Sequence, residues 1–364
     1  MDRAYLALAD GNIYEGFAMG ARRETVGELV FTTGMCGYIE TLTDPSYYGQ
    51  IVMQTFPLIG NYGVISEDFE GKNALFGYVV REKCDDPSNF RCEKTLDDFL
   101  KERDIPGVYG VDTREITRNL REYGVMNACI CYDRRKAESL YADKDSKDNP
   151  LFGFKIKDAV RSLCCTDKKD FSPAGEFRYR VALLDYGAKR NIIRELNKRG
   201  VLVTETPADT AAEEILSGGY DGVMLSNGPG DPEENVYAIE QIRKLLGNIP
   251  LFGICLGHQL TALAAGAKTY KLKYGHRGVN QPVKDLKSGR TFITTQNHGY
   301  AVDSSTVPEC AKLSFVNAND GTCEGLTYNN LDCFTVQFHP EACGGPGDTM
   351  FLFDEFIKLM GRGV

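Results

Sequence analysis

The sequence predicts an α/β protein, with a mixed α/β N-terminal domain followed by a domain that is built on a mostly parallel sheet. The chain has 364 residues, which exceeds the size of one ordinary hydrophobic core. Up to about residue 132, short β-type runs are separated by turn signals such as Asp10-Gly11, with helical spacing at 95–102 and 115–123. Beyond residue 179, strand and helix patterns alternate, which predicts a parallel sheet with helices on both faces, at 180–185, 191–199, 200–204, 211–217, 222–225 and 238–246.

The two patterns meet in a polar region of the chain. Residues 143–149 and 167–175 are polar and flank a short helical pattern that Cys164-Cys165 closes. We therefore place the N-terminal domain at 1–150, a linker region at 151–177 and the parallel-sheet domain at 178–364.

Composition argues against several classes of function. The formal net charge is −9, and the local basic cluster Arg134-Arg135-Lys136 is short, so we expect no nucleic-acid partner. No apolar run approaches the length of a membrane span, so we expect no membrane segment. Twelve cysteines without a secretory signal indicate reduced thiols and a cytoplasmic protein. Cysteine spacings such as Cys129-Ile130-Cys131 are not those of a zinc site, so we expect no metal.

The segment 250–260, PLFGICLGHQL, is typical of a nucleophile elbow, a strained turn between a strand and a helix. Cys255 is the apex, and Gly253 and Gly257 let neighbouring chain pass close by. The helix that follows would point its amides and the positive end of its dipole at the sulfur. The alternative is a small buried cysteine, which would leave the glycine pair without a purpose.

A cysteine nucleophile needs a base, and the chain has four histidines. His339 follows a β-type run and precedes Pro340, which keeps the segment extended. Residues two apart in an extended segment face the same side, so Glu341 lies beside His339 and can orient its ring. His258 lies on the helix after Cys255 and is expected to be packed or hydrogen-bonded, and we assign no chemistry to His276 and Arg277.

These motifs resemble the triad-type, class I glutamine amidotransferase domain, through the segments 253–259 and 338–341. The segments 225–232, 275–283 and 296–303 are similar to the small subunit of glutamine-dependent carbamoyl-phosphate synthetase. The segments 37–47, 60–63 and 111–114 resemble that subunit's N-terminal domain and argue against the amidotransferases of anthranilate or GMP synthesis. The resemblance covers nearly the whole chain.

The resemblance implies that Cys255 attacks the carboxamide of L-glutamine, releases ammonia and leaves a glutamyl thioester that water hydrolyses. It implies an oxyanion hole formed by the backbone amides of Gly228 and Leu256. It also assigns glutamine binding to Ser46, Gly228, Gly230, Leu256, Gln259, Asn297, Gly299 and Tyr300. Relatives often have phenylalanine at the last position, and Ser46 would place the pocket near the domain junction. The segments 228–230 and 297–299 could instead be only tight turns, and Ser46 could cap a turn.

The chain contains no Gly-x-x-x-x-Gly-Lys-Ser/Thr loop or comparable ATP site, so we expect no cofactor in it. The resemblance implies a partner, the large carbamoyl-phosphate synthetase subunit, which would bind ATP and Mg and use bicarbonate and the ammonia delivered to it. Two alternatives stay open: a stand-alone cysteine hydrolase, and a non-catalytic regulatory subunit. Retention of Cys255, His339 and Glu341 argues against the second.

Overall fold

The computed structural model describes residues 2–144, 146, 148–342 and 344–361. Contacts within the chain divide it into two units, Met1–Lys157 and Asp158–Val364. The division falls inside the region that the sequence predicts to be a linker.

The N-terminal unit is a closed barrel with short helices. Its helices are α1 (Tyr38–Thr43), α2 (Leu96–Glu102), α3 (Thr113–Tyr123), α4 (Arg134–Ala142) and α5 (Pro150–Gly153), with 3-10 turns at Pro45–Tyr47 and Ser66–Asp68. Its strands are β1 (Arg3–Leu8), β2 (Ile13–Gly20), β3 (Thr25–Thr32), β4 (Gln50–Gln54), β5 (Leu58–Ile59), β6 (Gly77–Val80), β7 (Glu82–Lys83), β8 (Pro106–Tyr109) and β9 (Met126–Cys131). The barrel order is β1-β2-β8-β6-β4-β3-β9, and β5 pairs with β7 beside it.

Side-chain caps explain where the two helices with clear sequence signals begin. The amide of Asp98 donates to Thr95 Oγ1 at 3.1 Å at the start of α2. Asp112 Oδ1 accepts from the amides of Arg114 and Glu115 at the start of α3. Each cap satisfies amides that the first helical turn leaves without partners. The helical patterns at 95–102 and 115–123 are therefore confirmed, to within two residues.

The C-terminal unit has helices on both faces of one large sheet. Its helices are α6 (Ala159–Leu163), α7 (Arg190–Lys198), α8 (Ala212–Ser217), α9 (Val236–Leu245), α10 (Leu256–Ala265) and α11 (Phe351–Met360), with 3-10 turns at Pro232–Glu234 and Ser304–Thr306. Its strands are β10 (Lys169–Phe171), β11 (Tyr179–Asp185), β12 (Val201–Pro207), β13 (Gly222–Leu225), β14 (Leu251–Ile254), β15 (Thr269–Asp285), β16 (Thr291–Val302), β17 (Ala311–Asn317), β18 (Cys323–Tyr328) and β19 (Cys333–Val336).

The sheet is 10-stranded, in the order β10-β12-β11-β13-β14-β19-β18-β17-β15-β16. Four neighbouring pairs are parallel, namely β12–β11, β11–β13, β13–β14 and β14–β19. This arrangement confirms the alternating strand and helix patterns. The pairs on both sides of these four are antiparallel. The parallel character is thus confined to the centre of the sheet. The β15–β16 and β17–β18 hairpins extend it with antiparallel strands that the sequence patterns do not reveal.

Two hydrophobic cores lie on opposite faces of this sheet. One contains side chains from α8, α9 and α10, and the other contains side chains from α7 and α11. Alternate residues of β14 serve the two cores, since Leu251 belongs to the first and Phe252 packs against Phe353 and Phe356 of α11. A strand that is buried on both faces reads as a continuous apolar run, which is why the β14 pattern does not alternate.

The region 151–177 contains regular structure. Helix α6 lies in it, and β10 pairs with β12 as an edge strand of the large sheet. Within the described residues, every helix is too short or too polar to cross a lipid bilayer.

Candidate active site

Cys255 stands at a strained turn between β14 and α10. Its φ of 53° and ψ of −102° are rare for an L-residue, and such a conformation costs about 1–3 kcal/mol. The Cys255 amide donates to the Val336 carbonyl of β19 at 2.8 Å, which anchors the turn. Cys255 occupies the N-cap of α10, so the free amides of the first turn and the positive end of the helix dipole face it. The turn therefore presents the thiol where negative charge is favoured.

The glycines on either side of Cys255 are required by close passage of the backbone. A Cβ at Gly253 would lie 2.9 Å from the carbonyl carbon and oxygen of Gly257. A Cβ at Gly257 would lie 2.4 Å from the carbonyl oxygen of Leu225 at the end of β13. Neither position has room for a side chain, as the elbow interpretation requires.

His339 and Glu341 form a fully buried pair. Nδ1 of His339 donates to Oε1 of Glu341 at 2.7 Å, and the His339 amide donates to the Thr295 carbonyl at 2.9 Å. Burial and the Lys189 ammonium lower the pKa of His339, but Glu341 and Cys255 outweigh them and raise it to about 9. Burial raises the pKa of Glu341, but its attraction to His339 outweighs burial, and the net pKa lies below the usual value. The pair is therefore an imidazolium and a carboxylate at neutral pH.

The second ring nitrogen of His339 is positioned for proton transfer. Nε2 is buried and has no nitrogen or oxygen partner within the part of the chain that the structure describes. Besides Glu341 and Lys189, Cys255 is the group that shifts the pKa of His339, both by its charge and by a hydrogen bond. A buried nitrogen that is left open next to a cysteine is the arrangement of a base and its nucleophile.

The backbone of Gly228, one of the two candidate oxyanion donors, packs against the side chain of Leu256, which carries the other. A Cβ at Gly228 would lie 2.3 Å from the Tyr186 carbonyl oxygen and 2.7 Å from Cδ2 of Leu256. Neither the Gly228 amide nor the Leu256 amide donates to a backbone carbonyl in the described loops and turns. Both amides are thus available to a ligand. Only glycine fits at position 228, because a side chain there would collide with Tyr186 and Leu256.

Side chains of the β13 loop hold Gly228 in place. The Tyr186 amide donates to Ser226 Oγ at 2.9 Å, and Asn227 Nδ2 donates to the Gly187 carbonyl at 2.9 Å. The Lys189 amide donates to Asn227 Oδ1 at 3.0 Å. These bonds join the loops that follow β11 and β13, so the Ser226-Asn227 dipeptide fixes the approach to the oxyanion position.

Three other predicted site residues, Asn297, Gly299 and Tyr300, lie in β16, and Gln259 contacts this strand. Cys255 Sγ lies 3.7 Å from the Asn297 carbonyl oxygen. Gln259 Nε2 donates to the Tyr300 carbonyl at 2.8 Å, which joins α10 to β16. A Cβ at Gly299 would lie 3.2 Å from Arg277 Nη2. The structure therefore brings Gln259, Asn297 and Tyr300 together around the elbow.

Gly230 and Ser46 are the remaining predicted residues. Gly230 is in the loop after β13 with a φ of 89°, and a Cβ at this position would lie 3.2 Å from Cβ of Ala159. Ser46 belongs to the N-terminal unit, in the 3-10 turn that Asp44 caps, and its amide donates to Asp44 Oδ1 at 2.9 Å. Asp44, not Ser46, is the cap of that turn. The glutamine contacts assigned to both residues stay predictions.

His258 is packed and hydrogen-bonded, as expected from its position on the helix. Its Nδ1 lies 2.8 Å from Thr335 Oγ1, and the ring is fully buried. Burial lowers its pKa to about 3, so the ring is neutral and engaged away from the turn.

Comparison with known proteins identifies the family. Residues 6–130 match the family model "Carbamoyl-phosphate synthase small chain, CPSase domain", and residues 182–359 match "Glutamine amidotransferase class-I". The carbamoyl phosphate synthase small chain of Listeria monocytogenes is 50% identical over 362 residues, which is 99% of this chain and 97% of that one. This chain belongs to the carbamoyl-phosphate synthase small-chain family. The small chain of Archaeoglobus fulgidus is similarly related, at 50% identity over 98% of this chain and 99% of its own.

The family match agrees with the two structural units. The small-chain CPSase region lies within the barrel unit, and the amidotransferase region contains the elbow and the His339–Glu341 pair. The family and the fold class that the motifs predict are therefore confirmed.

Lys189 lies beside the His339–Glu341 pair and was not predicted from the sequence. Nζ of Lys189 lies 3.9 Å from Oε1 of Glu341, and the lysine side chain is 9% exposed. Lys189 follows β11 at the carboxyl edge of the parallel strands, where active sites collect, so its position in the chain was an available signal.

Proposed function

We propose that this small chain hydrolyses L-glutamine at Cys255 and supplies the ammonia to a large synthetase chain. One observation carries the proposal: the strained Cys255 at the start of α10 stands beside a buried His339–Glu341 pair whose Nε2 is left open. A merely structural cysteine would need neither the strained turn nor the base.

The reaction follows from these positions. The Cys255 thiolate attacks the side-chain carbonyl carbon of glutamine, and the oxygen becomes an oxyanion held by the amides of Gly228 and Leu256. Removing one such donor typically costs about 3–4 kcal/mol of transition-state stabilisation. Imidazolium His339 gives its Nε2 proton to the departing amide nitrogen, the C–N bond breaks, and ammonia leaves a glutamyl thioester.

The second half returns the enzyme to its starting state. Neutral His339 takes a proton from water, whose oxygen attacks the thioester carbon. The C–S bond then breaks, which releases glutamate and restores the Cys255 thiolate. Glu341 keeps the ring oriented through both proton transfers without being protonated itself.

The substrate contacts and the partner belong to the same proposal. We assign glutamine binding to Ser46, Gly228, Gly230, Leu256, Gln259, Asn297, Gly299 and Tyr300. The large chain would bind ATP and Mg and join the ammonia to activated bicarbonate, because ammonia by itself does not become carbamoyl phosphate. A reducing, cytoplasmic compartment suits the free cysteines of the described residues.

The test is the Cys255→Ser variant in complex with the large chain. Carbamoyl phosphate synthesis from glutamine should be lost, while synthesis from added ammonium chloride should stay near the wild-type rate. Cys310→Ser is the matched control, because Cys310 is an exposed free thiol, and it should retain both activities. Glutamine-dependent synthesis near the wild-type rate in Cys255→Ser would refute the assignment of the nucleophile.

A further inference from the structure

A cluster of ionisable side chains outside the triad joins three strands of the antiparallel half of the sheet. His276 lies on β15, His298 on β16 and Glu324 on β18. The His298 and Glu324 side chains are 2% and 0% exposed, and that of His276 is 11% exposed. Such burial makes an unsatisfied polar atom in this cluster costly.

Hydrogen bonds at the outer edge of the cluster decide which ring nitrogens carry protons. Nε2 of His276 lies 2.9 Å from Asp320 Oδ2, and Nδ1 of His298 lies 2.8 Å from the Tyr300 carbonyl oxygen. Both partners are acceptors, so these two nitrogens are the N–H donors. The remaining nitrogens, Nδ1 of His276 and Nε2 of His298, then carry lone pairs, and the His298 nitrogen also lies 3.2 Å from the side-chain amide of Gln296, whose NH₂ group donates to it when that amide is flipped.

Both nitrogens face Oε1 of Glu324, which also accepts from Asn317 Nδ2 at 3.3 Å. Nδ1 of His276 lies 3.5 Å and Nε2 of His298 lies 4.0 Å from Oε1 of Glu324. A proton on Nδ1 of His276 would form an ion pair with Oε1 of Glu324 at 3.5 Å, longer than a normal hydrogen bond, and would leave Oε2 of Glu324 unsatisfied. Among the described side chains, Nδ1 of His276 and Oε2 of Glu324 have no hydrogen-bond partner. Converging acceptors of this kind are stabilised by a cation between them.

We propose that His276, His298 and Glu324 bind a divalent transition-metal ion of the zinc class. The ligand atoms lie within 4.8 Å of one another. Bonds of 2.0–2.1 Å in a tetrahedron place ligands about 3.4 Å apart, so shifts of under about 1 Å close the site. Two imidazoles and a carboxylate are a known zinc donor set that leaves a fourth position for water. The cysteine spacings predicted that the chain binds no metal. That prediction does not cover this cluster, because the cluster contains no cysteine.

The surroundings have the second layer that metal-binding histidines require. Asp320 orients His276, and the Tyr300 carbonyl orients His298, which fixes the tautomer that presents each lone pair. The same Tyr300 carbonyl accepts from Gln259 at 2.8 Å. The metal would therefore fasten the β17–β18 hairpin to the β15–β16 hairpin and steady the strand that carries Asn297 and Tyr300.

The test measures metal binding directly, in the full chain with Cys255→Ser so that the thiolate cannot serve as a ligand. The protein is stripped with a chelator and titrated with Co²⁺, whose visible absorption reports four-coordinate binding, and then with competing Zn²⁺. We expect one equivalent of Co²⁺. Glu324→Gln and His276→Asn should each weaken binding by about 100-fold or more, because each removes a ligand. Asp320→Asn should weaken it by about 10–100-fold through the second layer.

Two further measurements keep the proposal falsifiable. His258→Asn removes a buried histidine outside the cluster, so its Co²⁺ affinity should stay within about threefold of the parent's. Far-UV circular dichroism identifies any variant that does not fold, and exposed Asp320 serves if the Glu324 variant fails. Absence of a visible band, or an affinity that Glu324→Gln, His276→Asn and Asp320→Asn all leave unchanged, would overturn the proposal and leave the cluster a hydrogen-bonded scaffold.

Discussion

The Glu341→Gln substitution tests how strongly glutamine hydrolysis depends on the negative charge of Glu341. Glutamine has nearly the shape of glutamate and can still accept from Nδ1 of His339 through its amide oxygen. It removes a negative charge that lies 2.7 Å from the ring in a fully buried position. The change therefore tests electrostatics with little change in packing.

The expected size follows from the pKa of His339. Its rise from 6.5 to about 9 corresponds to roughly 3 kcal/mol in favour of the imidazolium, at about 1.4 kcal/mol per pKa unit. The charge of Glu341 is the largest single cause that raises this pKa, so the substitution should remove a large part of that energy. We expect glutaminase kcat/KM near pH 7.5 to fall by about 100-fold.

The same charge makes stability depend on pH in a defined direction. The folded-state pKa of His339 is raised, so its contribution is complete below about pH 6.5 and is lost as pH rises through about 9. The pKa of Glu341 is lowered, so its contribution is present above about pH 4.5 and is lost as pH falls through the lowered value. The loss of unfolding free energy in Glu341→Gln should therefore be largest between about pH 4.5 and 6.5 and shrink towards pH 9.

The assay is glutamate release across pH 6–9.5 by the wild-type chain and the variant, together with urea unfolding at pH 5.5, 7.5 and 9. Glu341→Asp is the matched control, because it keeps the charge and should lose less activity. A variant whose kcat/KM stays within threefold of wild type, with an unchanged pH profile, would refute the role of Glu341 as the charged orienter of His339.

Three further outcomes follow from the structure. His339→Asn should lower glutamine turnover by about 10³-fold or more, whereas His258→Asn should mainly lower Tm; comparable losses of turnover would make His258 the base. Gly257→Ala should lower both turnover and the urea midpoint, because its Cβ would lie 2.4 Å from the Leu225 carbonyl oxygen, and an unchanged midpoint would mean that the elbow relaxes. Asp112→Ala should cost about 0.5–2 kcal/mol in urea unfolding by removing the α3 cap while glutaminase activity stays unchanged, and an unchanged unfolding free energy would count against the cap.

The turn at Cys255 and the pairing of His339 with Glu341 could be predicted without coordinates because their signals are local. Cys255 must follow a strand and precede a helix, and its flanking glycines are needed wherever backbone passes that close. His339 and Glu341 are two residues apart in an extended segment, so their proximity follows from covalent geometry. The caps of α2 and α3 are equally local, since Thr95 and Asp112 each accept from amides two or three residues further along the chain.

Other features depend on pairings between distant parts of the chain. Closure of the N-terminal barrel requires β9 to pair with both β1 and β3, and apolar periodicity shows that these strands exist but not which strands they join. The antiparallel half of the large sheet was missed on the same ground. Periodicity also does not reveal that β10 joins the edge of that sheet from within the predicted linker.

The sequence by itself determined the family, the fold class, the turn at Cys255 and the proximity of His339 to Glu341, because short-range sterics and hydrogen bonding act between neighbours in the chain. Tertiary structure alone decided which charges are buried together. Lys189 approaches Glu341, and Glu324 faces His276 and His298, only because the sheet brings distant strands side by side and removes water from between them. Loss of water strengthens the interactions between these groups and shifts their pKa values. It results from packing between distant segments, so no local segment encodes it.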